Sequence, residues 1–349
     1  MKRKAPVYVT AILCALAALL LSAGIGSVWI SPAQIVSILK HALTGAALPE
    51  DIPPTLVSVF LSIRLPRALC SFLVGGMLSV AGSVMQAVLQ NPLASCYTLG
   101  VSSGASLGAA IVVVAEISVP LLGAFLLPAA GFAFALLTML FVLTLSARLD
   151  RGVSSHTVIL LGMVVTLFMS ALLTLVTSLN TEHLSRVMMW QMGSFSGRRW
   201  YHVLVLTGTA FAGTLALLHY HRELDILTFG DEQSLSVGVR TPRMKRRVLA
   251  LASLVTGIAV CFTGTIGFVD LIVPHVIRRR IGPAHRHVLP LAFLYGGTFL
   301  ALADTISRTV LAPREIPVGA VTALCGTPFF LRLYFAGKPG SSAAGRRQA

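Results

Sequence analysis

Between Arg67 and Glu116 the chain runs 48 residues without one charged side chain, interrupted only by Asn91-Pro92 and a series of glycines. A water-soluble domain of ordinary size has no core deep enough to hide such a stretch, whereas about 20 apolar residues cross the hydrocarbon layer of a bilayer. The 349 residues are 56% hydrophobic and 11% charged, with a mean hydropathy of +0.85. Such values belong to polytopic membrane proteins. The formal net charge of +15 does not imply nucleic acid as a partner. The basic residues sit in short loops between apolar runs, and no nucleic-acid-binding motif accompanies them.

Charge-free segments give nine full-length candidate spans, at about 7–30, 68–89, 97–115, 119–146, 155–179, 201–220, 248–268, 288–307 and 317–335. Lys2-Arg3-Lys4 before an apolar stretch imitates a signal peptide, but the stretch from Pro6 to Leu39 is too long, so the first segment reads as an uncleaved span. With the N-terminus inside, Arg148, Arg151, Arg222, Arg240, Arg243, Lys245, Arg246 and Arg247 fall in cytoplasmic segments, as the positive-inside rule requires. Nine spans would misplace Arg278-Arg279-Arg280, Arg286 and the tail cations Arg332, Lys338, Arg346 and Arg347. A tenth, short and broken element from Val269 to Ile277, kinked at Pro274 and shielded by neighbouring helices, resolves this. Ten crossings put 19 of the 27 basic residues and both termini on the cytoplasmic face. The whole chain, 1–349, then forms one transmembrane domain with tails 1–6 and 336–349 inside.

Gly100, Gly104 and Gly108 recur at four-residue spacing among Ser102, Ser103 and Ser106. Small faces of this kind let helix backbones approach closely in lipid; alternatively the hydroxyls line a polar path. Near membrane depth the ionisable residues are Asp270, His275 and Asp304. His275, beside the Gly267–Pro274 break, reads as a hydrogen-bonded structural histidine, with ligation the alternative.

No stretch fits G-x-x-x-x-G-K-[ST] or H-E-x-x-H, which argues against an enzyme. The near absence of ionisable residues in the spans also argues against an ATP-independent secondary transporter, the competing reading. Energy would then enter through another subunit docked on the cytoplasmic face. The segment 219–247 offers a surface for it. Leu224 to Val239 reads as two short helices, with Gly230 ending the first, Asp231 and Glu232 opening the second, and Gly238 closing it. Leu224, Leu227 and Leu235 would form an exposed apolar stripe for a partner, the alternative being a helical loop that lies on the lipid surface.

Arg64-Leu-Pro-Arg67, Gly75 to Gly82, Gln86, Asn91-Pro-Leu-Ala94 and Leu99-Gly-Val-Ser-Ser-Gly-Ala105 resemble the FecCD-type permeases. So do Trp190-Gln-Met-Gly-Ser194, Gly230-Asp-Glu232, Gly267-Phe-Val269 with Pro274-His275 and Arg278, Leu302-Ala-Asp304, Arg308, and Glu315 through Phe329. The matches run in order from about residue 60 to 335.

The resemblance implies the permease of an ATP-driven, binding-protein-dependent importer for ferric siderophores, haem or cobalamin-type chelates, in the inner membrane of a bacterium. It implies an all-α fold of about ten transmembrane helices, that of a type II importer permease. It further implies a second permease copy, two ATPase subunits that hold ATP and magnesium, and an external substrate-binding protein, with no cofactor on this chain. Arg64, Arg67 and Arg308 match outer-face arginines that pair with the binding protein. Leu224, Leu227, Gly230, Asp231, Glu232, Leu235 and Gly238 fall in the coupling segment. Asp270, where the family usually has glycine, and Arg279 and Arg280, where it is usually apolar, depart from the pattern.

Overall fold

The computed structural model describes residues 5–26, 28–49, 52–120, 123–150, 152–239 and 241–336. Lys2, Arg3, Lys4, Arg151, Arg240, Lys338, Arg346 and Arg347, with most of both expected tails, lie outside the described residues. Among the described residues the chain is all-α. Its helices are α1 (Ala5–Gly24), α2 (Pro32–Thr44), α3 (Pro54–Val88), α4 (Val101–Val114), α5 (Leu126–Leu149), α6 (Ser155–Leu179) and α7 (Leu184–Gln191). After them come α8 (Trp200–His219), α9 (His221–Leu227), α10 (Asp231–Ser236), α11 (Thr241–Thr263), α12 (Val269–Ile281), α13 (His285–Thr309) and α14 (Val318–Ala336).

By length and composition seven of these can cross a membrane: α1, α3, α5, α6, α8, α11 and α13. That is fewer than the ten expected. The other three expected crossings correspond to the short helices α4 and α12 and to α14, whose apolar part is only Val318–Phe329. At 1.5 Å per residue, a helix of about 14 residues reaches about 21 Å, less than the roughly 30 Å of hydrocarbon.

The first expected span, 7–30, ends early at Gly24, and a separate helix follows. Ser31 accepts from the Gln34 N–H at 3.2 Å while Gln34 Oε1 accepts from the Ser31 N–H at 3.0 Å. With Pro32 at the first helical position, this reciprocal cap starts α2. Ile35 and Ile38 of α2 bury against Ile30, Ile52 and Phe60, a second apolar core beside the main one. At its other end the span expected at 68–89 extends back to Pro54. Pro66 has no N–H to offer within the helix, and one π turn over Phe60–Arg64 carries the backbone through this region.

The helix α3 is the centre of the molecule and packs most closely on α13. Gly75 lies against the Gly296 carbonyl, Gly76 against the Phe293 ring, and Gly297 against the Phe72 ring. The exchange is reciprocal: each helix supplies glycines where the other supplies a phenylalanine, and the two rings meet edge-on at 6.0 Å. The α4 glycines act similarly. A Cβ on Gly104 would strike Thr138 and the Phe134 carbonyl of α5, and one on Gly108 would strike the Ala130 carbonyl and Phe134. Gly100, with φ 77°, turns the chain into α4, and Ser103 donates back to its carbonyl at 3.1 Å. This geometry is that of close packing between helices.

Candidate functional site

The segment 219–247 forms the expected pair of short helices, and Gly230 (φ 112°) and Gly238 (φ 89°) occupy left-handed backbone where a side chain would be strained. The leucines divide differently from expectation. Leu224 and Leu227 are fully buried, anchoring α9 beneath the spanning helices, while Phe229, Leu235 and Val237 are 72%, 55% and 69% exposed. The reason is periodicity: Leu224 and Leu227 share the inward face of α9, so the free apolar surface begins only past its end.

Polar contacts fasten this element to the helix ends above it. Asp225 accepts from both the His285 N–H at 2.8 Å and its Nδ1 at 2.6 Å, at the start of α13. Burial pushes the Asp225 carboxyl up, but the hydrogen bonds from the His285 side chain and main chain outweigh it and hold it below the usual carboxylate range. Gln90, just past α3, donates to the Leu227 carbonyl at 3.2 Å. Asp231 Oδ2 lies 2.6 Å from Lys245 Nζ, an ammonium wholly withdrawn from solvent at the start of α11. Glu232 stays exposed beside it. A displacement of α9 and α10 therefore pulls on α3, α11 and α13 together. Sequence reading counted Lys245 as one more loop charge; its place on the apolar face of α11, with Met244, Val248 and Leu249, was the signal available.

The short helix α12 lies against α3. It was expected as a broken element ending at Ile277, but it continues through Pro274 to Ile281. Pro274 has no N–H, so the Asp270 carbonyl four residues back loses its helical donor. Gln86 of α3 replaces that donor, with Nε2 3.1 Å from the Asp270 carbonyl, and its Oε1 accepts from Arg278 one turn further on. Gly82 makes the approach possible, because a Cβ there would collide with the Asp270 main chain. Phe268 starts α12 with φ 70°, and Gly267 before it faces open space. The Asp270 carboxylate is 3% exposed; Oδ2 accepts from the Ser95 hydroxyl, while Oδ1 is buried without a partner. His275 is partly buried and makes no hydrogen bond among the described residues, contrary to expectation.

At the opposite end, the structure brings Arg64, Arg67 and Arg308 together but turns them inward. Arg67 forks onto two carboxylates, Asp304 at 2.9 Å and Glu315 at 2.6 Å. Arg64 donates to the Gly24 and Val28 carbonyls at 2.9 and 2.6 Å. Arg308 reaches the Ser22 carbonyl and lies 3.7 Å from Asp304. All three guanidinium groups are engaged within the chain. Asp304, fully buried, lies against Arg67 and Arg308, while main-chain carbonyls hold Arg64; the exposed arginines at that end are Arg186, Arg199 and Arg314.

A profile of the FecCD transport family matches residues 13–336. The chain is 39% identical to the ABC transporter permease protein YvrB of Bacillus subtilis, covering 89% of this chain and 88% of that one. It is 38% identical to the cobalamin import system permease BtuC of Halobacterium salinarum, covering 83% and 76% of the two chains. It is also 38% identical to the hemin transport system permease HmuU of Yersinia pestis, covering 79% and 82%. A solved structure described as an inward-facing conformation of a metal-chelate type ABC transporter superposes with a TM-score of 0.83 at 27% identity, over 95% of this chain and 99% of that one. The chain belongs to the FecCD transport family, and it is a multi-pass membrane permease.

Proposed function

We propose that this chain is the permease subunit of an ATP-driven importer for a metal-chelate cargo of the siderophore, haem or cobalamin type. The observation that carries the proposal is the apolar rim of Phe229, Leu235 and Val237, exposed on an element fastened into three helices. Such a surface suits a partner that pushes. The chain has no nucleotide-binding motif, so ATP and magnesium belong to two ATPase subunits docked on that rim, with no cofactor held here.

The topology proposed is ten crossings, the seven long helices together with α4, α12 and α14 shielded by neighbours, with both termini on the cytoplasmic side. A second permease copy covers the outward face of α6, whose apolar window is only 17% buried within the chain against 83% for α3. The binding protein docks at the opposite end on exposed Arg186, Arg199 and Arg314. The network of Arg64, Arg67 and Arg308 fixes the helix ends beneath that surface, and rim charges there set orientation and encounter rate more than affinity.

The test is to purify the tagged protein gently from its native membranes and assay ATP hydrolysis. The expected result is co-purification with a Walker-motif subunit, lost in the Phe229→Asp, Leu235→Asp double variant while the permease itself stays folded. A protein that arrives alone, with uptake in vesicles that follows an ion gradient and ignores ATP, would establish a secondary transporter instead.

A further inference from the structure

Between α1, α12, α13 and α14 lies a slot of about 670 Å³. Its walls are apolar, from Val7 and Ile272 to Phe299 and Phe329, and one charged side chain, Arg280, joins them at the end nearest α9 and α10. On α13 the lining residues run from Leu291 to Leu302, a length of about 16 Å along the helix. The slot is therefore long and narrow.

Its charge is one-sided. No Asp or Glu lines it, and Arg280 makes no ion pair or hydrogen bond among the described residues. Arg279 and Arg286 are exposed at the same end, likewise without a carboxylate partner among the described residues, and the Tyr295 hydroxyl lies in the field of Arg280. An unpaired guanidinium at the mouth of an apolar slot calls for a ligand with an anionic head and a hydrocarbon body. Water would leave the apolar walls unsatisfied, and a soluble anion would leave them unfilled.

We propose that this slot binds one anionic phospholipid, its acyl chain between α12 and α13 and its phosphate on Arg280. Basic pockets between transmembrane helices recognise phospholipid head groups in this way. The lipid would brace α12 from the side opposite Gln86. It would also close the gap beside α14, whose first turn is held by the Gly193 and Met192 carbonyls.

To test this, the full chain is reconstituted in nanodiscs of equal parts phosphatidylglycerol and phosphatidylcholine, released into mild detergent, and weighed by native mass spectrometry. The wild type should retain phosphatidylglycerol over phosphatidylcholine by about fivefold, the selectivity that one interfacial cation supplies. Arg280→Ala should abolish that preference, and Cys325→Trp, which fills the slot and spares Arg280, should remove bound lipid of either kind. Equal retention of the two lipids by the wild type overturns the proposal, whether or not either variant folds. So does unchanged selectivity in a folded Arg280→Ala protein, displacement of the lipid by millimolar inorganic phosphate, or a lipid-free dimer in which a second copy covers the slot.

Discussion

The side-chain amide of Gln86 lies 3.1 Å from the main-chain carbonyl of Asp270, replacing the donor that Pro274 removed from its own helix. A side chain on one helix thus repairs the backbone of another, and Arg278 takes the other end of the same amide. Replacing Gln86 with Ala leaves a buried carbonyl and a buried guanidinium nitrogen without partners. At about 1–3 kcal/mol for each unsatisfied group, Gln86→Ala should lower the detergent unfolding temperature markedly, with Gly82→Ala doing so by overpacking. Unfolding temperatures of both variants unchanged from wild type would refute the repair.

Asp270 itself strains the site rather than serving it. Its Oδ1 is buried with no partner among the described residues, and such a group carries a desolvation penalty that the one Ser95 hydrogen bond to Oδ2 offsets only in part. Asp270→Ala should therefore stabilise the protein by about 1–3 kcal/mol, read as a higher unfolding temperature with the fold retained. A loss of stability would mean that the carboxylate has a partner after all.

Beside α9 and α10, Asp231→Ala removes the carboxylate from the buried ammonium of Lys245, and breaking one side of a buried pair costs about 3–5 kcal/mol. The double variant Asp231→Leu, Lys245→Met should recover most of that loss, since no charge is then left buried. A double-mutant cycle on thermal unfolding checks both statements together.

The Arg67 fork holds two carboxylates with one planar group, a geometry that a lysine ammonium cannot reproduce. Arg67→Lys should therefore destabilise nearly as much as Arg67→Ala, by about 3 kcal/mol or more. Rescue to wild-type stability by lysine would show that charge alone suffices there.

The loop after α5 provides a pH test outside the membrane. Hydrogen bonds from the Ser154 side chain and main chain and from the Gly152 N–H hold the Asp150 carboxyl down at about 2, from an ordinary 3.8. A carboxyl lowered by folding stabilises the folded state above its unfolded value and loses that contribution as the pH falls through the folded one. Hydrogen exchange at the start of α6 should therefore speed up as the pH falls from 3.8 toward 2, after correction for intrinsic rates. Asp150→Asn should flatten that dependence.

How much of this was legible in the sequence differs by element. The long spans were, because an apolar run of 20 residues has one physical home. The short pair α9 and α10 was as well, since Gly230 and Gly238 mark turns that only certain residues make easily. What a single sequence does not carry is which partners a side chain finds inside the chain, and so neither the Asp304 and Glu315 carboxylates on Arg67 nor the Gly24 and Val28 carbonyls on Arg64 were legible. Helix α2 was hidden for a different reason. Its apolar residues continue the hydrophobic run of α1, and only the Ser31–Gln34 cap, two polar residues inside that run, announces a new start. Pro274 was read as a breaker because its compensation lies 188 residues away at Gln86.

The reciprocal glycines and phenylalanines of α3 and α13 leave these two helices no freedom to slide, since any shift along the axis drives a ring into a backbone. They form a fixed spar. Any opening or closing then leaves α3 and α13 fixed relative to each other. A crosslink between α3 and α13 should leave transport running.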